Sequence, residues 1–160
     1  MWKDSAKVLH IILLHDSMST VTTGEIMHKI GLVVTEFHKK ESDEMVAAVK
    51  KFASNNELEI VKEVRIPGCL EAPLALKRLL LDDAIEGCVV LGIIEKGGTK
   101  HGFVMSNAVM EGIIDLQLDL MKPIGVGILG PEIEPDQIPS RVEPYATDAI
   151  KALKTMLTND

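Results

Sequence analysis

From Met27 onward, short runs rich in β-branched residues alternate with longer segments of helical period, an order that fits βαβ units built on a parallel sheet. The most constraining run is EGCVVLGIIE, residues 86 to 95, which is apolar almost without interruption. A strand with one face in water would alternate polar and apolar residues. This one does not, which predicts a central strand covered by helices on both faces. Three further strands are predicted at KIGLVVTEF (29 to 37), EIVKEVRIP (59 to 67) and PIGVGILG (123 to 130). Between them, SDEMVAAVKKFASNN (42 to 56) reads as a helix with Ser42 as N-cap and acidic residues in its first turn. APLALKRLLLDD (72 to 83) tolerates Pro73 because it lies in the first turn. FVMSNAVMEGIIDLQLDLM (103 to 121) carries apolar residues on more than one stripe, which predicts burial by its own sheet and by another subunit. DAIKALKTMLT (148 to 158) closes the chain as a helix. The expected fold is an α/β three-layer sandwich, with a mostly parallel four-stranded sheet flanked by helices.

Length supports a single domain, since 160 residues suffice to bury a real core. Residues 1 to 26 fit the alternation poorly: KVLHIILLHD reads as one extra strand and SMSTVTTGE as a linker. The expected organisation is an N-terminal extension over 1 to 26 and one α/β domain over 27 to 160. Ahead of the last helix, PEIEPDQIPSRVEPY places four prolines between Pro131 and Pro144. A long irregular connection is expected there, and such loops often carry function.

A net charge of −7 with 3% aromatic residues offers neither the basic field nor the stacking surface that nucleic acid requires. No stretch approaches the roughly 20 apolar residues of a membrane span, and the start lacks a convincing signal-peptide cleavage site. The expected location is the cytoplasm. Cys69 and Cys88 sit in apolar segments and read as reduced core thiols. His10, His15, His28 and His38 show no ligand spacing, so no metal is assigned.

Parallel sheets place their ligand sites at the carboxyl ends of strands. The residues just past each predicted strand are therefore the candidates. After the third strand, Glu95 to Gly102 reads EKGGTKHG, which is neither a Walker A sequence nor GxGxxG. Gly98 and Thr99 serve either a plain strand-to-helix turn or a cradle for an anion at a helix N-terminus. His101 is the residue type that exchanges protons near neutral pH, or else an exposed loop histidine. Glu71, beside Pro67-Gly68, is a helix-capping carboxylate or an acceptor for ligand hydroxyls and amines. Phe37 is either a hydrophobic plug or a ring that stacks on a planar heterocycle. Arg141 is the only arginine after Arg78 and reads as a surface charge or a partner for phosphate.

In this order the pieces resemble the 6,7-dimethyl-8-ribityllumazine synthase family, from about Lys29 to Leu157. The resemblance rests on VVTEF, IPGCLEAPLALKRLL, LGIIEKGGTKH and SNAVMEGIIDLQLDLMKPIGVGIL, in register along the chain. The final loop looks most like that of archaeal members. The resemblance implies a flavodoxin-like fold and a transferase reaction without cofactor or metal. In that reaction 5-amino-6-(D-ribitylamino)uracil condenses with 3,4-dihydroxy-2-butanone 4-phosphate. It further implies that Phe37 stacks on the pyrimidine, and that Cys69, Leu70, Glu71, Ile93, Ile94 and Glu95 hold the uracil and ribityl groups. Gly98, Thr99 and Arg141 would receive phosphate, and His101 would shuttle protons. Val126 would face a neighbouring subunit's substrate. The implied assembly is a pentamer, with twelve pentamers able to close a shell. Phe37 and Glu71 are expected from one subunit, and His101 and Arg141 from the next. Gly98 replaces an acidic residue of the family pattern, Gly102 an aromatic and Thr147 a lysine. An archaeal-type riboflavin synthase and a non-catalytic shell or flavin-binding homologue are the competing readings.

Overall fold

A computed structural model describes residues 27–159, and the strand and linker expected within 1–26 lie outside the described residues. The chain forms β1 (His28–Thr35), α1 (Lys39–Ala53), β2 (Leu58–Ile66), a 3₁₀ turn (Cys69–Glu71) and α2 (Ala72–Leu80). It continues with β3 (Gly87–Glu95), α3 (His101–Leu120), β4 (Ile124–Ile133), a second 3₁₀ turn (Pro135–Gln137) and α4 (Val142–Thr158). The four strands pair in parallel in the order β2-β1-β3-β4, so β3 is central as its unbroken apolar run requires.

Alternate β3 side chains feed two separate cores. Val89, Leu91 and Ile93 pack with Met45, Val49, Ala149 and Ile150 of α1 and α4. Cys88, Val90 and Ile94 pack on the other face with Leu76, Leu79, Val109 and Ile113 of α2 and α3. Each fully buried Val, Leu or Ile contributes about 1.5–3 kcal/mol. A polar substitution along β3 therefore damages one layer or the other. Ala72, Ala75, Leu76, Leu79 and Leu80 form the core stripe of α2 at the spacing of a single helical face. On α3 the buried stripe is Val109, Ile113 and Leu116, while Val104, Ile114 and Leu118 of the other stripe stay exposed.

Several element ends differ from the sequence expectation. Ser42 is not an N-cap, because α1 begins earlier, at Lys39, behind His38 in the left-handed region (φ 58°, ψ 51°). Ser42 is instead buried in the first turn, where its N–H donates to the His38 carbonyl and its hydroxyl to the Phe37 carbonyl. α2 stops at Leu80, short of Asp83, since the Asp82 carboxylate accepts the Ala84 N–H and turns the chain. α3 starts at His101, two residues ahead of its expected start. α4 starts at Val142 and not at 148, with Pro144 in a first turn whose N–H groups have no helical partner anyway. β4 runs on to Ile133, across a register shift opposite Ile93 and Glu95. The irregular connection is accordingly only residues 134–141.

The base of the sheet is held by one carboxylate. Glu86 accepts the Lys29 N–H at 2.8 Å through Oε1 and bonds His28 Nδ1 at 2.8 Å through Oε2, tying the start of β1 to the start of β3. Burial pushes this carboxyl up, but the bonds from His28 and the Lys29 N–H outweigh it. The result lies below the ordinary glutamate value of 4.5. A carboxyl lowered in the folded state stabilises the fold above its unfolded value, and that contribution is lost as pH falls through the folded value. The stability advantage of the wild type over Glu86→Gln is therefore expected to be full at neutral pH and to shrink as pH drops below 4.5. Urea midpoints of both proteins across that range measure it.

Candidate active site

Leaving β1 the chain turns to β2 on one side, whereas β3 lies on the other. The gap outside the carboxyl ends of β1 and β3 is thus the switch point at which open parallel sheets bind ligands. A cavity of about 520 Å³ occupies this place, within the range of small-molecule sites. Its walls come from three strand exits. Phe37 follows β1, Pro67 to Glu71 follow β2, and Ile93 to Glu95 end β3 and lead into Gly97, Thr99 and His101.

The β1 exit presents an aromatic face. The Phe37 N–H donates to the Pro67 carbonyl at 3.2 Å, which anchors the turn while leaving the ring half-exposed. At the β2 exit, Glu71 Oε2 accepts the Gly68 N–H at 3.1 Å. Glu71 thus caps the 3₁₀ turn and not α2, which has no side-chain cap, and the residue also lines the cavity. Cys69 is buried at the cavity floor, where burial pushes its thiol up to about 12 despite the Ile93 carbonyl beside it. Such a thiol stays protonated and is no nucleophile at neutral pH. Cys69 can contribute shape and its backbone.

The first turn of α3 closes the third wall. The Thr99 hydroxyl accepts the His101 N–H at 3.3 Å, just ahead of Lys100, the N-cap residue, which has no side-chain cap of its own. Gly102 explains how the helix comes so near. A Cβ there would sit 2.8 Å from the Glu95 carbonyl oxygen, so only glycine allows α3 to start against the end of β3. With the His101 N–H taken by Thr99, the first turn of this 20-residue helix still leaves the Gly102 and Phe103 N–H groups without helical partners, and Gly102 lines the same cavity as Thr99 and His101. That arrangement favours an anion.

Phe37, Cys69, Leu70, Glu71, Ile93, Ile94, Glu95, Thr99 and His101 all line this one cavity. His101 accordingly shares a chain with Phe37 and Glu71, correcting the expectation that it comes from the next subunit. Helix α3 leaves β3 directly above the switch point, which fixes this placement. Three expected residues do not line the cavity. Gly98 lies one residue outside it, on the loop. Val126 lines a separate groove with Tyr145 and Ala149 on the β4 side. Arg141, at the start of α4, is exposed and donates from its guanidinium to the Gln137 carbonyl at 3.0 Å. Pro67, Gly68, Gly97, Gly102 and Met105, to which the sequence assigned no ligand role, also line the cavity. His38, noted at the first strand exit, was given no role there, yet its Nε2 lies 2.9 Å from Glu95 Oε2. The spacing of His38 and Glu95 carries no local signal, since they lie 57 residues apart.

Residues 27–159 match the family model described as 6,7-dimethyl-8-ribityllumazine synthase. A curated protein of that name from Metallosphaera sedula is 37% identical over 128 residues, covering 80% of this chain and 85% of its own length. One from Staphylothermus marinus is 35% identical, covering 82% and 87%. Another, from Picrophilus torridus, is 34% identical, covering 82% and 96%.

Proposed function

The chain belongs to the 6,7-dimethyl-8-ribityllumazine synthase family, and on that premise we propose that it condenses 5-amino-6-(D-ribitylamino)uracil with 3,4-dihydroxy-2-butanone 4-phosphate. This is a transferase reaction of riboflavin biosynthesis. The amine attacks the ketone and water is lost, phosphate is eliminated, and ring closure loses water again. The observation that carries the reading is a single cavity at the switch point joining an aromatic wall, a carboxylate and a helix N-terminus with Thr99 and His101. The pyrimidine stacks on Phe37. Its polar edge and the ribityl hydroxyls meet Glu71, Glu95 and the backbone of Cys69, Leu70, Ile93 and Ile94. Phosphate takes the α3 end of the cavity, at Thr99, with Gly98 on the loop just outside closing on it from the next position. Beside it His101 accepts and returns the protons of imine formation and elimination. Holding two reactants in one orientation supplies much of the acceleration.

The site is completed by a second subunit. Val126 and Arg141 lie away from their own chain's cavity, and both are open to a neighbour. Val104, Ile114 and Leu118 leave an apolar stripe of α3 uncovered, as a helix does that packs against another copy. We read the assembly as a pentamer able to build a larger shell, with residues 27–160 as the catalytic unit. No helix among the described residues is long and apolar enough to cross a membrane. Cys69 and Cys88, both free and buried, suit a reducing cytoplasm.

Mixing the purified chain with both substrates is expected to yield the fluorescent lumazine faster than the spontaneous reaction. A rate equal to background overturns the reading, and product from lumazine alone would favour a riboflavin synthase. His101→Ala is expected to lower kcat by about 10²-fold or less, since positioning survives and the unaided condensation proceeds slowly.

A further inference from the structure

We propose that His38 is a positioning residue of this site, one that locks the Glu95 carboxylate and the Phe37 ring into a single clamp for the planar substrate. The inference rests on the function proposed above. His38 bridges two walls that belong to different strands. Its Nε2 donates to Glu95 Oε2 at 2.9 Å, reaching from the β1 exit to the last residue of β3. Its ring also meets Phe37 edge-on, with centroids 4.7 Å apart and planes at 80°. Because a carboxylate only accepts, this contact requires a proton on Nε2.

The backbone at His38 is strained, and the surroundings hold it in place. A non-glycine residue at φ 58° costs about 1–2 kcal/mol. The Ser42 N–H donates to the His38 carbonyl at 2.9 Å, and the hydroxyls of Ser42 and Thr35 donate to the Phe37 carbonyl at 3.4 and 3.5 Å. A turn fixed by so many bonds directs the imidazole at Glu95, which lines the cavity, although His38 itself does not. Strain of this kind gathers at functional sites.

For binding, the consequence is specific. With Oε2 occupied by His38, Glu95 presents Oε1 to N–H or O–H donors of a ligand stacked on Phe37. Without His38 the carboxylate would turn to water and the exposed Phe37 ring would lose its edge contact. The phosphate-bearing substrate depends on Thr99, the α3 N-terminus and Arg141, none of which His38 touches. His38 therefore governs the ring-bearing substrate and leaves the other alone.

His38→Gly removes the imidazole while keeping a residue suited to the left-handed turn, so the variant folds without the strain of other replacements. Its KM for the ribitylaminouracil is expected to rise about 10-fold, the effect of one hydrogen bond to a charged group. The KM for the phosphate ester and kcat should stay within about twofold of wild type. Glu95→Gln should show the same split, His38→Gln should recover most of the loss, and adding His38→Gly to Glu95→Gln should cost little more than either alone. An unchanged KM, a rise shared equally by both substrates, or additive single losses would overturn the proposal. Should the wild type catalyse nothing, fluorescence titration with 6,7-dimethyl-8-ribityllumazine tests the clamp by itself. Binding by wild type and about 10-fold weaker binding by His38→Gly support it. Equal binding, or none by wild type, overturns it.

Discussion

Arg141→Ala is expected to raise the KM for 3,4-dihydroxy-2-butanone 4-phosphate by roughly 10- to 100-fold, the loss of charge-assisted hydrogen bonds to phosphate. The KM for the ribitylaminouracil should hardly change. At saturating phosphate ester most of kcat should return, because an interaction made equally with substrate and transition state alters binding and not turnover. The guanidinium is exposed and spends one donor on the Gln137 carbonyl, a neutral acceptor that leaves its charge uncompensated. Its remaining N–H groups can close on phosphate at the α3 N-terminus of a neighbouring chain. Mixed assembly tests this directly. A chain carrying both Phe37→Ala and His101→Ala keeps its arginine, and an Arg141→Ala chain keeps the cavity. Unfolded together and refolded, and assayed at phosphate ester far below the KM of the Arg141→Ala protein, the pair should exceed the summed rates of the two alone, through sites made of one intact half from each. Kinetics of the mixture equal to the sum of the separate proteins would place Arg141 outside the reaction.

Gly130→Ala should be the most damaging small substitution in β4, lowering unfolding free energy by about 2–5 kcal/mol. Gly130 has φ +101°, which L side chains rarely adopt, and an added methyl would be driven into the Ile94 carbonyl. Neither problem can be relieved alone, because Ile94 is fixed in the central strand with both neighbours paired. Since Ile94 and Glu95 line the cavity, a shift of their backbone should raise both KM values along with the loss of stability. Gly97→Ala is the comparison on the same side of the molecule. An added Cβ there meets nothing within 4 Å, so its unfolding free energy should stay level or rise by up to about 1 kcal/mol. Equal midpoints for the two variants would show that close packing against Ile94 does not limit β4.

The fold was legible wherever burial leaves a periodic trace. Residues 87–94 are buried on both faces, so the run from Gly87 to Ile94 reads as a central strand with no other information. The stripe of α2 is equally plain because one side of that helix meets one core. Element ends were less legible, since caps depend on partners distant in sequence. Ser42 has the chemistry of an N-cap, but the turn at His38 places it inside the helix and gives its hydroxyl to Phe37. Four prolines suggested a long loop, yet Pro144 sits where a helix needs no N–H from it. Within the site, Phe37, Glu71, Thr99 and His101 were found because strand exits are where parallel sheets expose side chains. His38 and Gly102 were noted there without a role, because one contacts a partner 57 residues away and the other acts through the atom it lacks.

The amino-acid order therefore determined the alternation of strands and helices, the central place of β3 and the residue types gathered at the strand exits. These follow from the apolar period and turn chemistry, which act over a few residues. Only the tertiary structure decided which of those residues share a cavity. It brought His101 beside Phe37 and Glu71 within one chain, left Val126 and Arg141 facing outward, and joined His38 to Glu95. The reason is geometric: strand order sets which exits are neighbours, and side chains a few ångströms apart across a parallel sheet are separated by whole helices along the chain.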